Sequence, residues 1–323
     1  MKIALLGVSH WHAGIHLDAA LFCGGEIVAV WDRDGETARR FAADHQLAAD
    51  QTLEQILKRR PDLVVLMGHP RHVPEVALEI IAAGVPMLLE KPAAASTEGI
   101  TRIRDNAREN RAFVGVPLPN RFGPIFGEMT RLSGEGRLGG LGHGHFRIIN
   151  GPPQRYDVDG VGWMLDPSIG GGGALRNLGI HGIDAARSLA QGKLRVASAA
   201  IGNRLHDAMV EDHALVALQD EADVLFTVEA GYTYASLAPG GDFEWRVATH
   251  NAYLVDRGEE AQCATLDDGA LRALRPEPGS TRYRLLMADT FAQLRNGEAP
   301  TISIEDYHSA MEIIDAAYQK AGS

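Results

Sequence analysis

Strand and helix signals alternate through the first third of the chain with a regularity that few architectures accommodate. Short apolar runs at 3–6, 26–31, 63–67, 87–89 and 112–116 read as strands. Helical patterns fill the intervals at 12–22, 35–45, 53–59, 74–83 and 97–110. Met87, Leu88 and Leu89 are apolar without alternation, as expected of a strand covered on both faces. Alternation of this kind predicts a parallel, doubly wound α/β sheet over residues 1–118.

After Pro117 the pattern changes. Strand-like segments at 141–149, 196–201, 214–218, 224–230 and 244–249 lie close together, mostly without helices between them. They predict an α+β domain over 119–323 with a large, mostly antiparallel open sheet. A helix at 174–190 interrupts the series, and helices at 283–295 and 305–321 close the chain, the last able to pack back on the first domain.

Composition narrows the class. With 323 residues and 45% hydrophobic content, the chain can bury more than one core. A net charge of −11 disfavours a nucleic-acid footprint. Two distant cysteines, Cys23 and Cys263, argue for a reducing compartment. No stretch reaches the roughly 18 apolar residues of a membrane span. The expectation is a soluble, cytoplasmic protein.

Two constellations carry chemistry. Gly7-Val8-Ser9-His10-Trp11-His12 lies between the first strand and helix, where a dinucleotide fold places Gly-x-Gly-x-x-Gly. Only the first glycine is present; Ser9 and His12 stand at the other two positions. Asp32 ends the second strand, placed to accept ribose hydroxyls, which favours NAD over NADP because a 2′-phosphate would face its charge. Arg33 beside it leaves NADP open, since a guanidinium can hold that phosphate. Gly68, His69 and His72 follow the third strand and are further candidates for nucleotide contact, as is Glu90 at the exit of the fourth. His12 and His16 are one helical turn apart, as in some zinc sites, but no further ligand obviously completes a set, and no metal is expected.

The second constellation runs from Gly170-Gly171-Gly172-Gly173 through Asn177, His181 and Asp184. The glycines permit close backbone approach at a helix start. Asn177, His181 and Asp184 fall at i, i+4 and i+7, on one helical face, offering an amide, an imidazole and a carboxylate. For Asp184 the expected role is a capping network that ties the helix to its neighbours.

With both stretches in view, the chain resembles the glucose-fructose oxidoreductase / inositol dehydrogenase / MocA (Gfo/Idh/MocA) family. Glu90-Lys91-Pro92 and Gly-Gly-Gly-Ala-Leu-x-Asn-x-Gly-x-His-x-x-Asp match its two hallmark segments. Asn120-Arg121-Phe122-x-Pro124 resembles its crossover, and Gly297 to Pro300 its approach to the terminal helix. The resemblance covers nearly the whole chain. It implies an N-terminal Rossmann domain, a nicotinamide cofactor, and hydride transfer at a carbinol carbon of a sugar or polyol. It implies Lys91 and His181 as active-site residues, with Asn177 at the position usually held by an aspartate, and a cis Lys91–Pro92 bond. It also implies a homodimer or homotetramer formed through the C-terminal sheet. His181 is then expected to accept the hydroxyl proton while Lys91 donates to the same oxygen. Asn177 is expected to orient His181 through its amide oxygen. Arg121, Arg155, Tyr156, Trp163 and Arg176 are candidate substrate contacts, from segments expected to flank the cleft. Two other readings stand beside this one: a nicotinamide-binding regulator without turnover, and a glycosidase in which transient oxidation assists cleavage.

Overall fold

The computed structural model describes residues 1–238, 240–267 and 269–322. Five short strands, β1 (Lys2–Leu6), β2 (Glu26–Trp31), β3 (Leu63–Leu66), β4 (Met87–Leu89) and β5 (Val114–Gly115), pair in parallel in the order β2-β1-β3-β4-β5. Helices α1 (Ala13–Phe22), α2 (Gly35–Asp44), α3 (Leu53–Lys58), α4 (Val73–Ala82) and α5 (Thr97–Asn110) connect them. Every residue of β3 and β4 is buried, as a sheet covered on both faces requires. Side-chain caps start several of these helices: Asp34 accepts from Glu36 and Thr37, Thr52 forms a capping box with Gln55, and Ser96 accepts from Gly99. Gly84 takes φ +70° just past α4, the left-handed geometry that ends a helix without steric cost.

The second sheet has eight strands: β6 (Leu141–Asn150), β7 (Arg195–Gly202), β8 (His213–Gln219), β9 (Leu225–Gly231), β10 (Gly241–Thr249), β11 (Ala252–Asp256), β12 (Ala261–Thr265) and β13 (Leu271–Leu274). Their order is β13-β12-β11-β10-β6-β9-β8-β7, antiparallel except between β6 and β9. The α/β plus open-sheet architecture expected from the sequence is therefore the observed one. Strands β11 to β13 were not anticipated. They are short hairpin arms of four or five residues; β11 and β12 bury alternate residues, and β13 is almost wholly exposed.

Helices α6 (Pro124–Gly134) and α7 (Gln154–Val158) precede the glycine run, α8 (Pro167–Gly170) ends on its first residue, and α9 (Ile180–Leu189) follows it. The predicted 174–190 helix is not a uniform α-helix: Leu175–Gly179 winds as a π-helical turn before α9. Such turns are often found at functional sites. α9 packs on β6 and β9. The last two helices, α10 (Gly279–Asn296) and α11 (Ile304–Ala321), return to the first domain, α10 against α1 and α11 against α5. One apolar cluster runs from Leu6 and Leu89 through Leu132 and Ile183 to Val228 and Trp245, so the two sheets share a continuous core. Among the described residues, no helix is long and apolar enough to cross a membrane.

Candidate active site

The carboxyl ends of β1, β2 and β3 open on a cavity of about 410 Å³ lined by Gly7, Ser9, Asp32, Arg33, Gly68, His69 and His72, among others. Ligands of open α/β sheets bind at such strand ends. Gly7 sits at φ +77°, and a Cβ there would meet the Met67 carbonyl oxygen at 2.2 Å, so only glycine lets β1 and β3 close the floor this tightly. Asp32 is buried and receives two backbone N–H donors, from Ser9 at 2.7 Å and Asp34 at 3.0 Å. Each carboxylate oxygen keeps a further lone pair for a ligand hydroxyl. His10, a sequence candidate for cofactor contact, is buried and borders neither this cavity nor the cleft beside it; its Nδ1 accepts from the His12 backbone, and its Nε2 has no partner. These features fit an adenine dinucleotide.

A second cavity of about 240 Å³ lies in the cleft between the two domains. Trp11, His12, Lys91, Asn120, Asn150, Arg155, Tyr156, Asn177, His181 and Tyr283 are among the residues lining it. Lys91, just beyond β4, is buried, and its peptide bond to Pro92 is cis. Its Nζ donates to the Asn177 backbone oxygen at 3.1 Å and to Asn177 Oδ1 at 2.9 Å. Burial pulls the lysine pKa down from its ordinary value to about 8, with the Glu90 charge opposing that fall. His181 is also buried at its Nδ1, which has no partner. Burial, and then the charge of Lys91, hold its pKa well below the usual imidazole value, so it is neutral at physiological pH.

Asn177 does not orient His181. Its Oδ1 is taken by Lys91, and its Nδ2 donates to the hydroxyls of Tyr156 at 2.9 Å and Tyr232 at 3.1 Å. The physical reason is the π-helical turn, which departs from the α-helical spacing on which the sequence argument relied.

Glu90 is turned away from Lys91 into a separate network. Its carboxylate meets His12 Nδ1 at 3.2 Å and His16 Nε2 at 2.6 Å, and the Tyr283 hydroxyl lies 3.1 Å from His12 Nδ1. The one-turn spacing of His12 and His16 thus serves a buried carboxylate. Donor atoms of His10, His12 and Glu90 lie within 4.8 Å of one another, a spacing a cation could use; His12 and Glu90 bond each other there, while His10 keeps one nitrogen without a partner.

The other sequence candidates fall in different places. Gly7, Ser9, Asp32, Arg33, Gly68, His69 and His72 border the first cavity, whereas Trp11, His12 and Lys91 border the second. Trp163 stands at the rim between them, its ring 6.0 Å from that of Trp11 and 5.2 Å from that of His69. Arg155 and Tyr156 line the cleft, but Arg121 and Arg176 do not. Arg121 grips Asp184 with both Nε and Nη2, the structural role expected of that aspartate. Arg176 bonds the Gly171 carbonyl oxygen and faces Asp315. Both arginines are held by interactions inside the protein rather than turned to a substrate.

Tyr232, Tyr283, Glu211 and Tyr318 were missed. Each is far in sequence from the motifs, and a lone tyrosine or glutamate carries no local signal. Glu211 accepts from the Gly173 and Leu175 backbones at 2.8 and 2.9 Å and from the Tyr318 hydroxyl at 2.7 Å. It clamps the start of the π-helical turn. Gly171, at φ +79°, lies where a Cβ would meet the Ala95 carbonyl oxygen at 2.3 Å, so this run abuts the backbone beyond Lys91. Replacing Glu211 by alanine strands two buried N–H groups and should cost about 3 kcal/mol in urea unfolding.

The fold and these two adjoining cavities describe a parallel dinucleotide-type sheet joined to a large open sheet, with a cleft between them. A profile described as "Oxidoreductase family, NAD-binding Rossmann fold" matches residues 1–117, and the "GFO/IDH/MocA C-terminal domain" matches residues 126–254. The chain belongs to the Gfo/Idh/MocA family. It is 29% identical over 241 residues to inositol 2-dehydrogenase 2 of Saccharopolyspora erythraea, covering 71% of this chain and 66% of that protein. To D-glucoside 3-dehydrogenase of Escherichia coli it is 27% identical over 191 residues, 58% of this chain and 53% of that protein. These matches thus span about two thirds and one half of the relatives' lengths. Among solved structures, levoglucosan dehydrogenase in complex with NADH and levoglucosan superposes with a TM-score of 0.85 at 18% identity, over 100% of this chain and 97% of that one.

Proposed function

We propose that the protein is an NAD-dependent dehydrogenase that oxidises a carbinol carbon of a sugar, polyol or sugar derivative. The observation that carries this reading is the meeting of Lys91 and His181 in one cleft beside the nucleotide cavity. The names of the inositol and glucoside dehydrogenases support the substrate class.

A bound nicotinamide supplies the hydride acceptor. The residues of the chain do the rest. Asn177 takes two of the three Lys91 N–H donors, leaving the third for the substrate oxygen. That donor stabilises the negative charge growing on oxygen as hydride leaves carbon. The neutral imidazole of His181 accepts the hydroxyl proton; with Nδ1 buried, Nε2 is the nitrogen that meets the substrate. In reverse the same pair polarises and protonates a ketone. Asn120, Asn150, Arg155 and the indole of Trp11 surround the remaining hydroxyls.

Asp32 is read as the NAD determinant, because it presents a buried carboxylate to the ribose side of the first cavity. Asp32→Ala should weaken NAD binding roughly 10–100-fold, the worth of one or two charge-assisted hydrogen bonds. NADP binding, measured in parallel by fluorescence titration, should change little or improve through Arg33. Equal losses for both cofactors would refute the assignment.

The outward face of the large sheet carries exposed Leu215, Leu225 and Tyr253, and is read as the surface for a second copy of the chain. Light scattering should report a dimer or tetramer.

Screening sugars and polyols for NADH absorbance with parallel product analysis tests the function. Oxidation gives NADH and a carbonyl product. Redox-assisted glycoside cleavage gives product without net NADH, and a regulator gives neither.

A further inference from the structure

The amide of Asn177 is gripped from both ends. Lys91 Nζ donates to Oδ1 at 2.9 Å, and Nδ2 donates to the oxygens of Tyr156 at 2.9 Å and Tyr232 at 3.1 Å. An ammonium has only donors, an amide has one accepting and one donating end, and a phenol can do either. With Lys91 charged, the amide oxygen must face it, because a turned amide would set NH₂ against NH₃⁺. The two phenols hold the opposite end. They are rigid supports: Tyr232 is fully buried, Tyr156 nearly so, and their rings meet edge to face at 5.0 Å. Tyr156 comes from α7, Tyr232 from just beyond β9, and Asn177 from the π-helical turn, so three distant segments converge on one amide.

We propose that Tyr156 and Tyr232 are positioning residues for Lys91, holding the Asn177 amide so that its oxygen fixes both the direction and the charge of the lysine. The proposal rests on the reading of Lys91 as the donor to substrate. Other groups also face the lysine. Glu90 adjoins it at the exit of β4, His10 and His12 lie in the loop before α1, and His181 belongs to α9; the Trp11 ring centroid is 5.9 Å from Nζ. None of them is altered by shortening a phenol to a phenyl ring. Removing both hydroxyls leaves Nδ2 buried without acceptors and frees the amide to turn. Lys91 then loses a held acceptor, and its charged form is disfavoured. An aspartate at 177 would act in the opposite sense, accepting from Lys91 and from both phenols while adding a charge that holds the ammonium.

The test is an NMR titration of the whole protein labelled at lysine ¹³Cε, with Lys91 assigned by its loss in Lys91→Met. Tyr156→Phe/Tyr232→Phe should move the Lys91 midpoint down by roughly half to one pH unit, each single variant by less, and Asn177→Asp should move it up. The basic limb of kcat/KM should shift the same way, with KM for NAD unchanged. An unmoved midpoint in the double variant, or a fall in kcat with no shift of the pH profile, would overturn the proposal. If the double variant does not fold, the single variants and Asn177→Asp decide it by the same readout. A shifted midpoint in a protein that oxidises no sugar would keep the positioning claim and defeat the functional reading instead.

Discussion

Lys91→Met is expected to lower turnover roughly 10²–10³-fold, the cost of removing one preorganised donor from a developing oxyanion. Methionine keeps most of the apolar stem but leaves the buried Asn177 oxygens without their donor, so the fold should lose about 1–3 kcal/mol while staying folded. The loss of activity should therefore fall on kcat, with NAD binding, measured by fluorescence titration, close to wild type. A large loss of NAD affinity would instead make Lys91 a cofactor ligand. The lysine also sets a limb of the pH profile. Its pKa of about 8 means that the donating ammonium predominates below that pH and is lost above it. In the oxidative direction, kcat/KM should therefore fall as pH rises through about 8, and Lys91→Met should lack this limb.

His181→Ala is expected to cost about 10²–10⁴-fold in turnover, the usual worth of a positioned acid-base group. Its imidazole is held neutral by burial and by the charge of Lys91, so it stays able to accept a proton well below the ordinary histidine pKa. Activity in the oxidative direction should accordingly persist as pH falls through 6.5. It should fail only at lower pH, when the imidazole finally protonates. His181→Gln, which retains a polar side chain but cannot take the proton, should be nearly as impaired as alanine. Near-full activity in either variant would remove His181 from the mechanism.

The sequence made some of this legible and hid the rest for definable reasons. Fully buried strands such as Leu63–Leu66 and Met87–Leu89 stand out because both of their faces must be apolar. Gly7 and Gly171 could be marked because close approach leaves no room for a Cβ. The meeting of Lys91 with His181 followed from the family resemblance and not from spacing, since 90 residues separate them. The partner of Asn177 was misread because helical spacing was assumed through a segment that winds as a π turn. Arg121 and Arg176 look like substrate ligands in sequence, since nothing local reveals that Asp184 and the Gly171 carbonyl already hold them. Tyr232 and Tyr283 become visible only when β9 and α10 are folded against the motif-bearing segments.

The most direct test follows the hydride itself. A sugar or polyol that gives NADH in the screen is deuterated at its carbinol carbons and incubated with NAD and the wild-type protein. The account predicts deuterium at nicotinamide C4 on one face of the ring, a matching ketone product, and loss of transfer by at least roughly 10²-fold in Lys91→Met. NADH without deuterium, or equal transfer by Lys91→Met, would contradict it.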